Sequence, residues 1–295
     1  MEQYLQFVIN GLVVGSIYSL VALGFVIIYK ATKVVNFAQG ELVMVGGYVC
    51  LALTVQLHLP FPVAFLLTLA FSVVLGLAIE RLALRPLIGE SGISVIMVTI
   101  GLSSVLKALV QIVWGVELRV YPRLLPDTPL LIAGVPVAPV YLAAFLLSGL
   151  LFGVFTLFFK YSRLGVAMRA TAFDQQAAQS MGIGVKRIFG LSWCVAAVVS
   201  SIGGLILGNI NGIDPQLGHL GLAVFPAVIL GGLDSLAGAA LGGLLIGVIE
   251  NVCDGLGVDL FGIGGFKEVA AFVALVVILM VRPYGLFGTR DIERV

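Results

Sequence analysis

The stretch LQFVINGLVVGSIYSLVALGFVIIY, residues 5–29, contains no Lys, Arg, Asp or Glu and is followed directly by Lys30. A helix crosses the hydrocarbon core of a bilayer with about 20 consecutive apolar residues, so this stretch is long enough to span a membrane. No basic segment precedes it, and it is longer than the apolar region of a cleavable signal peptide. We therefore predict an uncleaved membrane-spanning helix.

The composition extends this prediction to the whole chain of 295 residues, of which 60% are apolar and 11% are charged. An ordinary soluble domain carries about 25% charged residues. The apolar runs are continuous rather than alternating, which disfavours a β-barrel. A net charge of +1 leaves no basic face for nucleic acid. We expect an all-α polytopic membrane protein that forms one transmembrane domain over residues 1–295.

About eight membrane-spanning helices are expected from the lengths of the apolar runs. The predicted spans cover residues 5–29, 34–57, 61–79, 93–114, 139–159, 188–210, 236–252 and 266–281. A proline-rich loop at 115–137 separates the fourth span from the fifth.

The stretch 221–254 does not fit one span, because Gly231, Gly232, Asp234 and Ser235 interrupt it. Its first half is too short to cross a bilayer alone. We predict a broken or re-entrant half-helix near 221–235, followed by a full helix. Irregular backbone at this depth must be covered by protein or line a wet cavity. A kinked helix facing lipid is the alternative, which the closely spaced small residues at 238–247 disfavour because they need a packed neighbour.

The distribution of basic residues predicts the orientation. The loops after the first, third and fifth spans and the C-terminal tail hold most of the 16 lysines and arginines, whereas the opposite loops hold Arg119 and Arg123. Cytoplasmic loops are enriched in Lys and Arg. We expect the N-terminus outside, and the loop at about 160–187 and the C-terminus in the cytoplasm.

Signatures of enzymatic chemistry are missing from the sequence. It contains no phosphate-binding loop, no HExxH or GxSxG motif, and no metal-ligand spacing among its three cysteines. We expect no catalytic residues, metal or cofactor, so any ATP must be hydrolysed by a separate subunit. Lys107, Lys267 and Glu250 lie within predicted spans, where they either serve function or extend to an interface. No chain of acidic residues or histidines crosses the membrane, which argues against proton coupling.

The loop at 160–187 predicts a short cytoplasmic helix over about 166–181. Asp174 favours its positive N-terminal end, and Gly182 ends it. Its small residues favour insertion into a cleft of a partner protein, although a helix lying on lipid is the alternative. The candidate coupling residues are Arg169, Ala170, Asp174, Ala177, Ala178, Met181 and Gly182.

Four motifs carry a resemblance to a known family. In chain order they are the segment NFAQGE at 36–41, the loop pattern RATA–AA–MGI at 169–183, the glycine-rich break GGLDS at 231–235 and the C-terminal RPYGLFG at 282–288. They resemble the permease subunits of branched-chain amino-acid ABC importers, the LivH-like family. Asp234 departs from that pattern, since the family usually has a small residue there.

The resemblance implies an ABC-transporter permease of the bacterial inner membrane that moves branched-chain or related amino acids inward. It implies a second permease subunit, identical or homologous, two cytoplasmic ABC ATPases and a periplasmic binding protein. Urea, amides and aromatic acids are substrates of relatives and stay open. Residues expected to line the substrate path are Asn36, Gln39, Glu41, Gly231, Gly232, Asp234 and Ser235.

Two other functional classes remain open. An ion-coupled secondary transporter also uses broken helices near the membrane midplane, and a passive channel for a small solute would need no ATP. Stripes of small residues on the first, fifth and sixth spans are candidates for pairing with a second permease. They are Gly11, Gly15 and Ser19; Gly149 and Gly153; and Gly204, Gly208 and Gly212.

Overall fold

The computed structural model describes residues 2–122, 128–132, 135–262 and 264–288, and their regular structure is mostly helical. The helices are α1 Glu2–Thr32, α2 Gln39–Leu51, α3 Phe61–Ile79, α4 Gly92–Trp114, α5 Pro139–Tyr161, α6 Arg163–Phe173, α7 Gln175–Ser180, α8 Val185–Asn211, α9 Leu220–Gly231, α10 Leu236–Phe261 and α11 Phe266–Val281. A hairpin of β1 Leu130–Ile132 and β2 Val135–Val137 precedes α5, with Leu130 opposite Val137.

The prediction of an all-α polytopic membrane protein is confirmed. Within the described ranges, six helices are long and apolar enough to cross a membrane: α1, α3 with its continuation to Leu87, α4, α5, α8 and α10. The expected number of eight is approximate, because α2 and α11 are shorter. A π-helical turn, Ala52–Gln56, lengthens α2.

The second span begins later than the sequence predicts. Residues 34–38 are not helical, and α2 begins at Gln39. The Asn36 side chain accepts a hydrogen bond from the Ala38 N–H at 3.0 Å, and Lys33 has a φ of 57°. An Asn side chain that bonds nearby backbone competes with helix formation. The polar segment around Asn36 therefore interrupts an apolar run that looks continuous.

The predicted broken helix at 221–235 is confirmed. The short α9 ends at Gly231, and the turn that follows has Gly232 at a φ of 104°. A residue with a side chain is strained in that conformation, whereas glycine adopts it readily. The Ser235 hydroxyl then accepts a hydrogen bond from the Gly238 N–H at 3.0 Å and caps α10. The break and the restart of the helix are thus both written in the local sequence.

The chain forms two compact units, one of residues 1–26, 124–152 and 223–295, the other of residues 27–123 and 153–222. In the first unit, α1 and α10 pack antiparallel through small residues. A Cβ on Gly15 would lie 2.8 Å from the Gly243 carbonyl oxygen, and the Ser19 hydroxyl donates to the Ala240 carbonyl at 2.7 Å. The stripe of small residues on α1 therefore already packs against α10 of the same chain.

In the second unit, α2 is almost wholly buried and packs on α8. Gly46 lies against Ser201, and Gly204 lies against the Val43 carbonyl, so the stripe on α8 is also occupied. On α5, by contrast, a Cβ at Gly149 or Gly153 would have no neighbour within 4 Å among the described residues. Pairing through any of these stripes stays a prediction.

The predicted orientation also stays a prediction. Three of the basic residues on which it depends, Arg123, Arg290 and Arg294, lie outside the described residues.

Candidate functional site

The start of α2 holds three of the predicted path residues, Asn36, Gln39 and Glu41, and all three are buried. Asn36 and Gln39 are fully buried, and the Asn36 amide donates to the Gln39 side-chain oxygen at 3.2 Å. The Gln39 amide in turn donates to the Ser200 hydroxyl of α8 at 2.7 Å. These bonds satisfy the two amides and join α2 to the middle of α8.

Glu41 lies outside these bonds and is not fully paired. The residue is 7% exposed, and its Oε2 atom has no hydrogen-bond partner among the described residues. The polar groups that act on this carboxylate are the Ser103 hydroxyl, Lys107 and His219. Lys107 Nζ lies 3.1 Å from His219 Nε2. Lys107 therefore takes part in a polar cluster with Glu41 and His219.

Two helix starts meet at this cluster. Gly40 in the first turn of α2 lies directly against the Gly218 carbonyl, and a Cβ on it would lie 2.6 Å from the Gly221 N atom at the start of α9. Asp214 caps the turn that leads into α9, because its carboxylate accepts the Gln216 N–H at 2.8 Å and the Leu217 N–H at 3.2 Å. The positive ends of helix dipoles near a polar cluster favour anionic groups.

The third side of the cluster is a polar stripe on α4, of which the sequence analysis identified Lys107 alone. Thr99, Ser103 and Lys107 are spaced by four residues and therefore share one helix face. The Thr99 hydroxyl accepts the Phe37 N–H at 3.3 Å, just before α2. The four-residue spacing of polar side chains on an otherwise apolar span was the signal available in the sequence. His219, predicted in an exposed outer loop, gave no such signal.

A cavity of about 180 Å³ lies beside Asn36 in the same unit. Glu80 and Arg85 line it and form an ion pair with contacts of 3.1 and 3.0 Å, with Glu80 buried. Gln175, the first residue of α7, also lines the cavity. The cavity therefore extends from Asn36 to the predicted coupling loop. The Glu80–Arg85 ion pair was not predicted from the sequence.

The coupling loop forms two helices rather than the single predicted one. Asp174 has extended backbone between α6 and α7, and its carboxylate accepts the Gln176 and Ala177 N–H groups at 2.8 and 2.9 Å. Gly182 has a φ of 82° and ends this region. Arg169 bonds the Phe159 carbonyl, which fixes the loop to the end of α5.

Most of the predicted coupling residues in this loop are exposed, but Ala178 is not. Ala178 is 4% exposed and packs within the chain, so it is not the contact surface that the sequence suggested. A small residue on a short helix fits an internal contact as well as an external one. The large exposed apolar side chains are Phe173, at 95%, and the predicted coupling residue Met181, at 83%. Ala177 is exposed and Ala170 is half-buried.

The remaining predicted path residues lie in the other unit. The Gly231 carbonyl accepts the Phe287 N–H at 3.1 Å, and the Leu230 carbonyl accepts the Leu286 N–H at 2.8 Å. Gly232 packs on Gly288. The backbone at the break is therefore covered by the C-terminal segment, one of the two environments expected for irregular backbone. Asp234 and Ser235 continue this turn into α10, and the role of all four in a path stays a prediction.

Comparison with known proteins places this arrangement among transport proteins. Residues 7–283 match the family model described as the permease component of the branched-chain amino acid transport system. The chain is 35% identical to the high-affinity branched-chain amino acid transport system permease protein BraD of Pseudomonas aeruginosa, over 99% of this chain and 98% of BraD.

Two further relatives and one solved structure agree. LivH of Salmonella typhimurium is 30% identical over 100% of this chain and 99% of its own length. The probable LivH of Methanocaldococcus jannaschii is 29% identical over 95% of this chain and 91% of its own length. The fold is shared with PsaBC from Streptococcus pneumoniae, solved in complex with Fab, with a TM-score of 0.52 at 13% identity over 95% of this chain and 92% of that chain.

Proposed function

The chain belongs to the family of branched-chain amino acid transport permeases, and we propose that it is the membrane-spanning subunit of an ABC importer. It moves branched-chain or related amino acids inward by alternating access, which partner ATPases drive. The observation that carries this proposal is the meeting of two helix starts, α2 and α9, beside a buried polar cluster. Helices that begin inside a membrane are typical of transport paths, since their ends supply polar groups to a solute.

The substrate path, in this proposal, passes the cluster of Asn36, Gln39 and Glu41. Their side chains are buried in a chain that is otherwise largely apolar. Buried polar groups in a membrane are unfavourable unless they are bonded or serve a passing solute. The cavity beside Asn36 gives the path a continuation toward the coupling loop.

The cytoplasmic ATPases dock on α6 and α7. Phe173 and Met181 flank α7 and project apolar side chains from a loop that carries Arg169 and Lys186 nearby. Large exposed apolar side chains are favourable where a partner covers them. Gln175 then links the docked helix to the cavity, so movement of α7 reaches the path. Two ATPases, a second permease and a periplasmic binding protein complete the importer, with the N-terminus outside and the C-terminus in the cytoplasm.

Uptake by reconstituted proteoliposomes tests this function. The permease is purified with its copurifying subunits, and uptake of radiolabelled leucine is measured with the binding protein outside and ATP inside. We expect uptake that requires ATP and continues after ionophores collapse all ion gradients. Uptake that does not require ATP and that the ionophores abolish would identify an ion-coupled secondary transporter instead.

A further inference from the structure

The Glu41 carboxylate is buried without a full set of partners. Its residue is 7% exposed, and Oε2 meets no hydrogen-bond donor among the residues that the structure covers. Removing a carboxylate from water without supplying donors is strongly unfavourable. An ammonium group would supply N–H donors and a compensating positive charge.

Lys107 faces the same carboxylate with a charge of the opposite sign. Its Nζ lies 3.1 Å from His219 Nε2, so the imidazole accepts one of the three ammonium donors. Glu41 lies on α2, Lys107 on α4, and His219 ends the turn before α9. The cluster therefore holds an acidic and a basic group on separate elements, each able to bind one charge of a small solute.

The backbone leaves the charged groups close to each other. A Cβ on Gly218 would lie 3.1 Å from Glu41 Oε1, so the backbone just before His219 packs closely against the carboxylate. The start of α9 directly follows His219. The positive end of that helix adds to Lys107 in favouring an anionic group.

We propose that Glu41, Lys107 and His219 form a transient site for the zwitterionic head of a free α-amino acid. Glu41 accepts from the ammonium group, while Lys107 and the start of α9 hold the carboxylate; His219 positions Lys107. This inference rests on the proposed function and adds the residues that bind the two charges of the substrate. Solutes that lack either charge, such as urea, amides or amine-free acids, do not fit the site.

Substrate protection of a nearby cysteine tests the site directly. In the complete complex in nanodiscs, Cys50, Cys194 and Cys253 are replaced by alanine, and Ser103→Cys places a thiol beside Glu41. Thiol labelling is timed with leucine, leucinamide, 4-methylpentanoate or 4-methylpentanamide at equal concentrations. We expect leucine to slow labelling about tenfold, a difference of about 1.4 kcal/mol, and the three analogues to leave it unchanged.

Charge-removing variants identify the groups responsible. Glu41→Gln and Lys107→Gln should each raise the leucine concentration for half-protection about 30-fold or more, as expected for losing one partner of a buried charge contact. Glu250→Gln is the matched control, since Glu250 is a buried carboxylate in the other unit that accepts the Tyr18 hydroxyl at 2.9 Å. It should leave protection unchanged.

The zwitterion site and the proposed transport function can be refuted separately. Equal protection by leucinamide or 4-methylpentanoate, or unchanged protection in both Glu41→Gln and Lys107→Gln, would overturn the zwitterion site. ATP-dependent leucine uptake by the wild-type complex is measured in parallel. If uptake persists while the protection pattern fails, only this inference is lost; if the wild type takes up no branched-chain amino acid, the proposed function fails.

Discussion

Replacing Gly40 with alanine should separate the two helix starts on which the proposed path depends. The added Cβ would overlap the Gly218 carbonyl and lie 2.6 Å from the Gly221 N atom and 2.9 Å from its Cα. All these neighbours are backbone atoms, so a rotamer change of a side chain cannot relieve the overlap. Overpacking of this kind costs about 1–3 kcal/mol, which lowers the population of the native junction about 5- to 150-fold.

The assay compares ATP-dependent leucine uptake and thermal unfolding of the complex. Gly101→Ala on α4 is the matched control, because its Cβ would have no neighbour within 4 Å among the described residues. We expect Gly40→Ala to lose most uptake and to lower the unfolding temperature, and Gly101→Ala to change neither. If Gly40→Ala transports and unfolds like the wild type, α2 and α9 do not meet as described.

Three further predictions concern coupling, the break and orientation. Phe173→Asp should release the ATPases on size-exclusion chromatography while the permease still folds, because Phe173 is 95% exposed; retained ATPases would exclude it from the docking surface. Gly232→Leu should abolish uptake, since its φ of 104° strains a side chain by about 1–2 kcal/mol and its Cβ would meet Gly288; uptake at the wild-type rate would show that the turn tolerates rearrangement. An impermeant thiol reagent outside intact cells should label Glu117→Cys and spare Asp174→Cys, both exposed in the structure; the opposite pattern would reverse the orientation.

The class of fold followed from the length and composition of the chain, and the broken helix followed from a few neighbouring residues. Apolar runs of spanning length need no tertiary information, and Gly232 with Ser235 specifies a break and a restart locally. The predicted start of the second span, at residue 34, was wrong because residues 34–38 are mostly apolar and resemble a continuation of the helix. Only the Asn36 side chain, bonded to the Ala38 N–H, shows that a helix does not form there.

The candidate site was only half accessible from sequence. Asn36, Gln39 and Glu41 came from one contiguous motif, whereas Ser200 and Lys107 reach them from distant helices. Such contacts depend on how helices pack, which the pattern of one helix does not specify. The burial of Ala178 escaped the sequence for the same reason. Whether Ala178 faces inward or outward is decided by its neighbours and not by α7 itself.

The most direct test of the central claim is the access to Ser200→Cys from each side of the membrane in a complex that otherwise lacks cysteine. Ser200 is buried and bonds Gln39 at the proposed path. We predict that an impermeant thiol reagent reaches this cysteine from one side without nucleotide and from the other with ATP and vanadate, and that leucine slows both reactions. Labelling from neither side in any state, in a complex that still imports leucine with ATP, would contradict the account, because the cluster would then be structural core and not the substrate path.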